Sequence, residues 1–130
     1  MIVLDASVVI ALLDAGDAHH AAAQNFLATR PGPYFMHPLT VGEVLVGPAK
    51  LRREVAVWRD LEAIGVAIAD LGPAESLMLA RVRADHGIKM PDACVLATAK
   101  MLGGDVVTFD ERLATAAAAE SALHPDIQIS

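Results

Sequence analysis

The sequence predicts an α/β domain built on a mostly parallel sheet with helices on both faces. Short apolar runs alternate with longer helical stretches along the whole chain, the pattern of strand–helix–strand units. The first run, Met1-Ile2-Val3-Leu4, is continuously apolar rather than alternating, as in a strand buried on both faces. Hydrophobic residues make up 55% of 130 positions, enough for a core without disulfides or structural metal.

The opening strand ends at Asp5. Ala6 to Asp14 reads as a helix, with Asp5 or Ser7 available to cap it and Gly16 placed to stop it. A second helix spans Ala18 to Thr29 and is closed by Pro31-Gly32-Pro33; Tyr34-Phe35-Met36 is the expected second strand. Thr40-Val41-Gly42-Glu43 has the spacing of a capping box and is expected to open a short helix that Gly47-Pro48 ends. Leu51 to Ile64 follows as a longer helix, and Val66 to Ala69 as a β-rich run.

After Gly72-Pro73, the residues Leu77, Met78 and Val82 fall at helical spacing in a helix from Pro73 to His86, with Gly87 as its stop. Pro91-Asp92 opens a helix over Ala93 to Leu102, ended by Gly103-Gly104. Val106 to Phe109 reads as a strand running into Asp110, and Arg112 to Ala119 as an Ala-rich helix. Ile127-Gln128-Ile129 is a candidate last edge strand. With no internal repeat and no linker, residues 1–130 are expected to form a single domain.

Composition narrows the function classes. The stretches Ala6 to Leu13 and Leu113 to Ala119 fall well short of the roughly 20 apolar residues that cross a bilayer. Asp5 interrupts the opening run and the first basic residue is Arg30, so no secretory signal is expected and the chain reads as cytoplasmic. Cys94, the single cysteine, lies in an apolar run and reads as a core residue. A formal charge of -6 argues against holding nucleic acid by bulk charge. Lys50, Arg52, Arg53 and Arg59 nevertheless cluster, a pattern that on its own reads as a solvated helix face.

Ligands of open α/β sheets bind beyond the carboxyl ends of the strands, so acids at that edge carry the interest. Asp5 and Asp110 follow two expected strands; Glu43 and Asp92 lie in the opening turns of two helices. Taken singly, each reads as a helix cap worth about 0.5–2 kcal/mol. Their coincidence at one edge points further. Two carboxylates about 4 Å apart repel by roughly 4 kcal/mol at an effective dielectric of 20, so a cluster calls for a cation. An all-oxygen set favours Mg²⁺ or Mn²⁺ over zinc, and such ions activate water for attack on a phosphodiester.

Four segments in order, Met1 to Leu13, Thr40 to Gly47, Pro91 to Ala99 and Val106 to Asp110, resemble PIN-domain proteins and, within them, the VapC toxins of VapBC toxin–antitoxin pairs. The resemblance covers nearly the whole chain. It implies a three-layer α/β/α fold and an Mg²⁺- or Mn²⁺-dependent endoribonuclease. Asp5, Glu43, Asp92 and Asp110 match the family's catalytic, metal-binding acidic quartet, and Ser7 and Thr108 match its supporting hydroxyls. The likeness further implies a homodimer neutralised by a cognate antitoxin of VapB type, which often reaches into the acidic site with a basic side chain. DNA contacts are then expected from the antitoxin. RNA binding by so acidic a chain would draw on bound metal and on patches such as Lys50 to Arg59.

The remaining residues carry weaker signals. His19 and His20 point in different directions on a helix and are expected to be exposed; His37, His86 and His124 beside Pro or Gly are expected in turn or surface roles. No phosphate loop, catalytic serine motif or zinc spacing occurs. Two alternatives stay open: an aspartyl-phosphate type of phosphoryl transfer at Asp5, and a non-catalytic module whose acidic pocket receives a partner's basic side chain.

Overall fold

The computed structural model describes residues 1–126. The elements in chain order are β1 (Ile2–Leu4), α1 (Ala6–Leu13), α2 (His20–Thr29), β2 (Tyr34–Met36), α3 (Pro38–Lys50), α4 (Glu54–Ala63), β3 (Val66–Ile68), α5 (Glu75–His86), α6 (Met90–Leu102), β4 (Asp105–Val107) and α7 (Glu111–Ala119). The strands form one parallel sheet in the order β3-β2-β1-β4. Ile2 is in register with Tyr34 on one side and Asp105 on the other.

The continuous apolar character of β1 follows from this central place. Side chains of a strand alternate between faces. Leu4 packs with Val8, Phe26, Met36, Val44 and Leu61 on the α1–α4 side, whereas Val3 packs with Val82, Leu96, Val106 and Leu113 on the α5–α7 side. Two cores separated by one sheet make the expected three-layer α/β/α fold. Because all four strands run in the same direction, the residues that follow them, Asp5, His37, Ala69 and Thr108, emerge at one edge.

Several boundaries differ from the sequence expectation, for identifiable reasons. Helix α1 is not among them, ending at Leu13 with Asp14 as its boundary residue, within one residue of the expected end. Helix α2 begins at His20 rather than Ala18, because the Asp17 carboxylate turns the chain by accepting the His19 amide at 2.8 Å. The capping box at Thr40 does not form. Helix α3 begins two residues earlier, with Pro38 in the first position, where its missing N–H costs nothing, and the His37 ring accepting the Leu39 amide at 3.0 Å. Thr40 is buried, and its hydroxyl has no partner among the described residues.

Gly47-Pro48 does not end α3, which runs on to Lys50 with Val41, Val44 and Leu45 held against the core. Strand β4 ends at Val107, so Thr108 and Phe109 leave the ladder. Gly87 and Gly103, at φ 62° and 69°, terminate α5 and α6 in the left-handed conformation the sequence expects of glycine. The candidate strand at Ile127 to Ile129 lies outside the described residues; shortly before it, Leu123 makes an isolated parallel bridge to Val106. Cys94 is buried and free. Among the described residues, no helix is long and apolar enough to cross a membrane.

Candidate active site at the carboxyl edge of the sheet

Asp5 is the structural centre of the edge. It follows β1, its amide still donates to Val107 O at 3.0 Å, and the residue is buried. Although it stands at the start of α1, its carboxylate makes no capping bond. Instead Oδ2 accepts from Ser7 Oγ and from Thr108 Oγ1, each at 2.7 Å. Those hydroxyls are held in turn: Ser7 Oγ accepts the Phe109 amide at 3.0 Å, and Thr108 Oγ1 accepts the Asp110 amide at 2.9 Å. The end of β4 and the start of α1 are thereby locked to one carboxylate.

The other three acids come from three different helices. Asp110 begins α7 and does cap it, Oδ1 accepting the Leu113 amide at 2.9 Å. The helix-cap reading therefore holds for one oxygen of Asp110, while no protein donor reaches Oδ2 among the described residues. Asp92 lies in the first turn of α6, which Lys89 rather than Asp92 precedes as the boundary residue. Glu43 projects from α3.

Electrostatics show that the four share one field. Burial pushes Asp92 up to about 6, and repulsion from Asp110, Asp5 and Glu43 adds to the rise, with Lys89 opposing it. Glu43 is an exposed residue overall, yet desolvation at its carboxyl, followed by repulsion from Asp5, raises it above the usual carboxylate range. Repulsion of this kind is relieved by a nearby cation.

A cleft of about 1070 Å³ opens beside these acids, lined by Glu43, Asp92 and Asp110 and continuing between α7 and the α5–α6 connection. Among the described residues, no group of three or more His, Cys, Asp or Glu side chains forms a ready-made metal cage. Mg²⁺ does not require one. It binds through one or two carboxylates and keeps several waters, so an oxygen-only, mutually repelling donor set at an open cleft fits a hard divalent cation.

The histidines are more engaged than the sequence indicates. His19 stacks on Phe109 with centroids 4.3 Å apart, which turns Phe109 into the α1–α4 core, and His20 Nδ1 contacts Ala11 O at 2.7 Å. His37 is buried and pairs through Nε2 with Glu75, while His86 Nε2 meets Glu120 Oε1 at 2.9 Å. His124 packs edge-on against Phe26. Sequence reasoning also passed over Lys89 and Arg112, both of which line the cleft. Their signal was proximity alone, just before Asp92 and just after Asp110.

The PIN domain family model matches residues 2–119. The chain belongs to the PIN domain family. No curated protein sequence matches it. Among solved structures, this PIN domain is similar to a toxin–antitoxin complex from Klebsiella pneumoniae, at 22% identity and a TM-score of 0.80, covering 99% of this chain and 100% of the other. It is similar to a VapC toxin of Mycobacterium tuberculosis that cleaves the sarcin–ricin loop, at 22% identity and a TM-score of 0.74, covering 89% and 95%. A VapBC complex from Rickettsia felis bound to a DNA fragment of its promoter shares 13% identity with a TM-score of 0.63, covering 100% and 98%. At these identities the likeness is one of fold.

Proposed function

We propose that this PIN domain is an Mg²⁺- or Mn²⁺-dependent endoribonuclease of the VapC type, the toxin of a type II toxin–antitoxin pair. The observation that carries the reading is the set Asp5, Glu43, Asp92 and Asp110 at the carboxyl edge of a parallel sheet, where burial and then Asp5 raise the proton affinity of Glu43, and burial and then Asp110, Asp5 and Glu43 raise that of Asp92. Membership of the PIN family and the fold shared with toxin–antitoxin proteins support it.

In this reading the four carboxylates hold the cation, and residues 1–130 work as one domain. When bound, Mg²⁺ or Mn²⁺ supplies an activated water and offsets negative charge developing on the phosphoryl oxygens. The protein's own part is positional. Ser7 and Thr108 hold Oδ2 of Asp5 and so fix the orientation of its carboxylate. Asp110 is oriented by its capping bond to Leu113. Asp92 and Glu43, less restrained by hydrogen bonds, adjust to ion and substrate.

The partners follow from the same reading. The chain acts in the cytoplasm as a homodimer, and a cognate VapB-type antitoxin silences it by placing a basic side chain among the acids; any contact with DNA is made through that antitoxin. Cleavage of a structured RNA pool by the purified, partner-free chain tests the activity. Fragments with Mn²⁺ and none with EDTA are expected; intact RNA in both would overturn the reading.

A further inference from the structure

The cleft is larger than a scissile linkage needs. At about 1070 Å³ it is as large as the upper end of the 300–1,000 Å³ typical of small-ligand pockets. Beyond Asp92 and Asp110 it follows one face of α7 through Arg112, Thr115, Ala116 and Ala119, about 10 Å at the helical rise. The opposite wall is the α5–α6 connection, His86 to Pro91. A groove of that length beside the acids accommodates polymer on one side of the cut.

The charges along this groove are sorted. Glu120, close to its far end, is occupied by Lys100 at 2.6 Å and by His86 at 2.9 Å, hydrogen bonds that also hold its carboxyl below the usual range. That network leaves Lys89 and Arg112 as the cations of the walls that have no ion-pair partner among the described residues. Lys89 stands on the connection and Arg112 on α7, and both line the groove. Glu111 lies beside Arg112 and is the one further acid in the lining outside the quartet. By contrast, Lys50, Arg52, Arg53 and Arg59 flank the α3–α4 junction, and none of them lines the cleft.

We propose that Lys89 and Arg112 are the backbone clamp of this groove, each taking a phosphate of the RNA strand next to the one cut, and that the Lys50 to Arg59 cluster takes no part. The clamp rests on the ribonuclease reading and names where its substrate lies. It also accounts for how a chain of net charge -6 holds a polyanion: two cations placed at the groove replace bulk basicity. Among the described residues the groove walls present no Trp, Tyr or Phe, so phosphate contacts rather than base stacking carry this part of the affinity.

The test uses a fluorescent single-stranded RNA and the Asp5→Asn chain for binding, and the unmodified site for cleavage. Removing both cations (Lys89→Ala with Arg112→Ala) is expected to raise KM at least tenfold with little change in kcat. It should also flatten the slope of log affinity against log salt by about 0.7 for each phosphate that is no longer neutralised. Exchanging the two for the other base (Lys89→Arg, Arg112→Lys) should restore most of the affinity, which a folding defect would not allow. The fourfold variant of Lys50, Arg52, Arg53 and Arg59 to Ala should leave KM and slope in place. An unchanged KM and slope in the double variant, or a weakened affinity in the fourfold one, overturns the clamp while leaving the nuclease standing. A parent chain that neither cuts nor binds RNA at low salt overturns both.

Discussion

Thr108 Oγ1 donates a 2.7 Å hydrogen bond to Asp5 Oδ2, joining the ends of the neighbouring strands β4 and β1 across 103 positions of sequence. Thr108→Val keeps the shape and removes the donor from a buried carboxylate. A bond to a charged group is worth about 1.5–3 kcal/mol, so denaturant unfolding should show a loss of that order. Cleavage should fall with it, and Thr108→Ser should recover both. Undiminished stability in the valine variant would show that Asp5 is held by other means.

Divalent cation is expected to raise the thermal midpoint by relieving repulsion among Asp5, Glu43, Asp92 and Asp110. At a hundred times its Kd, the ion would add about 2.7 kcal/mol, a shift of several degrees for a chain of this length. Asp5→Asn should shrink the shift. An equal shift in that variant would remove Asp5 from the ion's surroundings.

The pH dependence of the metal-free protein follows from acids displaced in opposite directions, Asp92 and Glu43 upward and Glu120 downward. Asp92 stands at about 6 in the folded chain against an ordinary 3.8, so between those values the folded state binds the proton better and stability falls as pH rises. Its destabilising contribution is complete above about pH 6. Asp92→Asn should flatten that descent in a series of melts between about pH 4 and 7. Glu120 is held below its ordinary 4.5 by Lys100 and His86, so its contribution is present above that value and lost as pH falls below it. Glu120→Gln should soften the acid limb alone.

Two glycines separate close approach from open space. A Cβ on Gly104 would stand 2.9 Å from Met1 O, on the backbone that Asp105 pairs with, so Gly104→Ala should destabilise by about 1–3 kcal/mol, as overpacking does in a close-packed core. Gly42 lies within α3 with nothing near its missing Cβ, and Gly42→Ala should stabilise by about 0.5–1 kcal/mol. Chemical denaturation of both variants checks the contrast.

What was legible in the sequence was what local chemistry decides. The unbroken apolar run of β1 announced a central parallel strand, and Gly87 and Gly103 marked helix ends because the left-handed turn there suits glycine. Asp5, Asp92 and Asp110 stand at helix starts as expected, whereas Glu43, expected in an opening turn, lies in the second turn of α3 because that helix begins at Pro38. Where tertiary packing overrides local preference, sequence and structure part. Pro48 should have ended α3, but burial of Val41 and Val44 carries the helix past it. Thr40 and Glu43 have capping-box spacing, yet the cap comes from His37, whose ring no spacing rule singles out. Lys89 and Arg112 become visible only once α5, α6 and α7 are folded around one groove.

The most direct test of the central claim is RNA cleavage by the partner-free chain and by its Asp5→Asn variant, side by side in Mn²⁺, with metal binding followed by calorimetry on the same samples. Fragments are expected from the unaltered chain and none from the variant, together with weakened metal binding in the variant. Equal cleavage by both would contradict the claim.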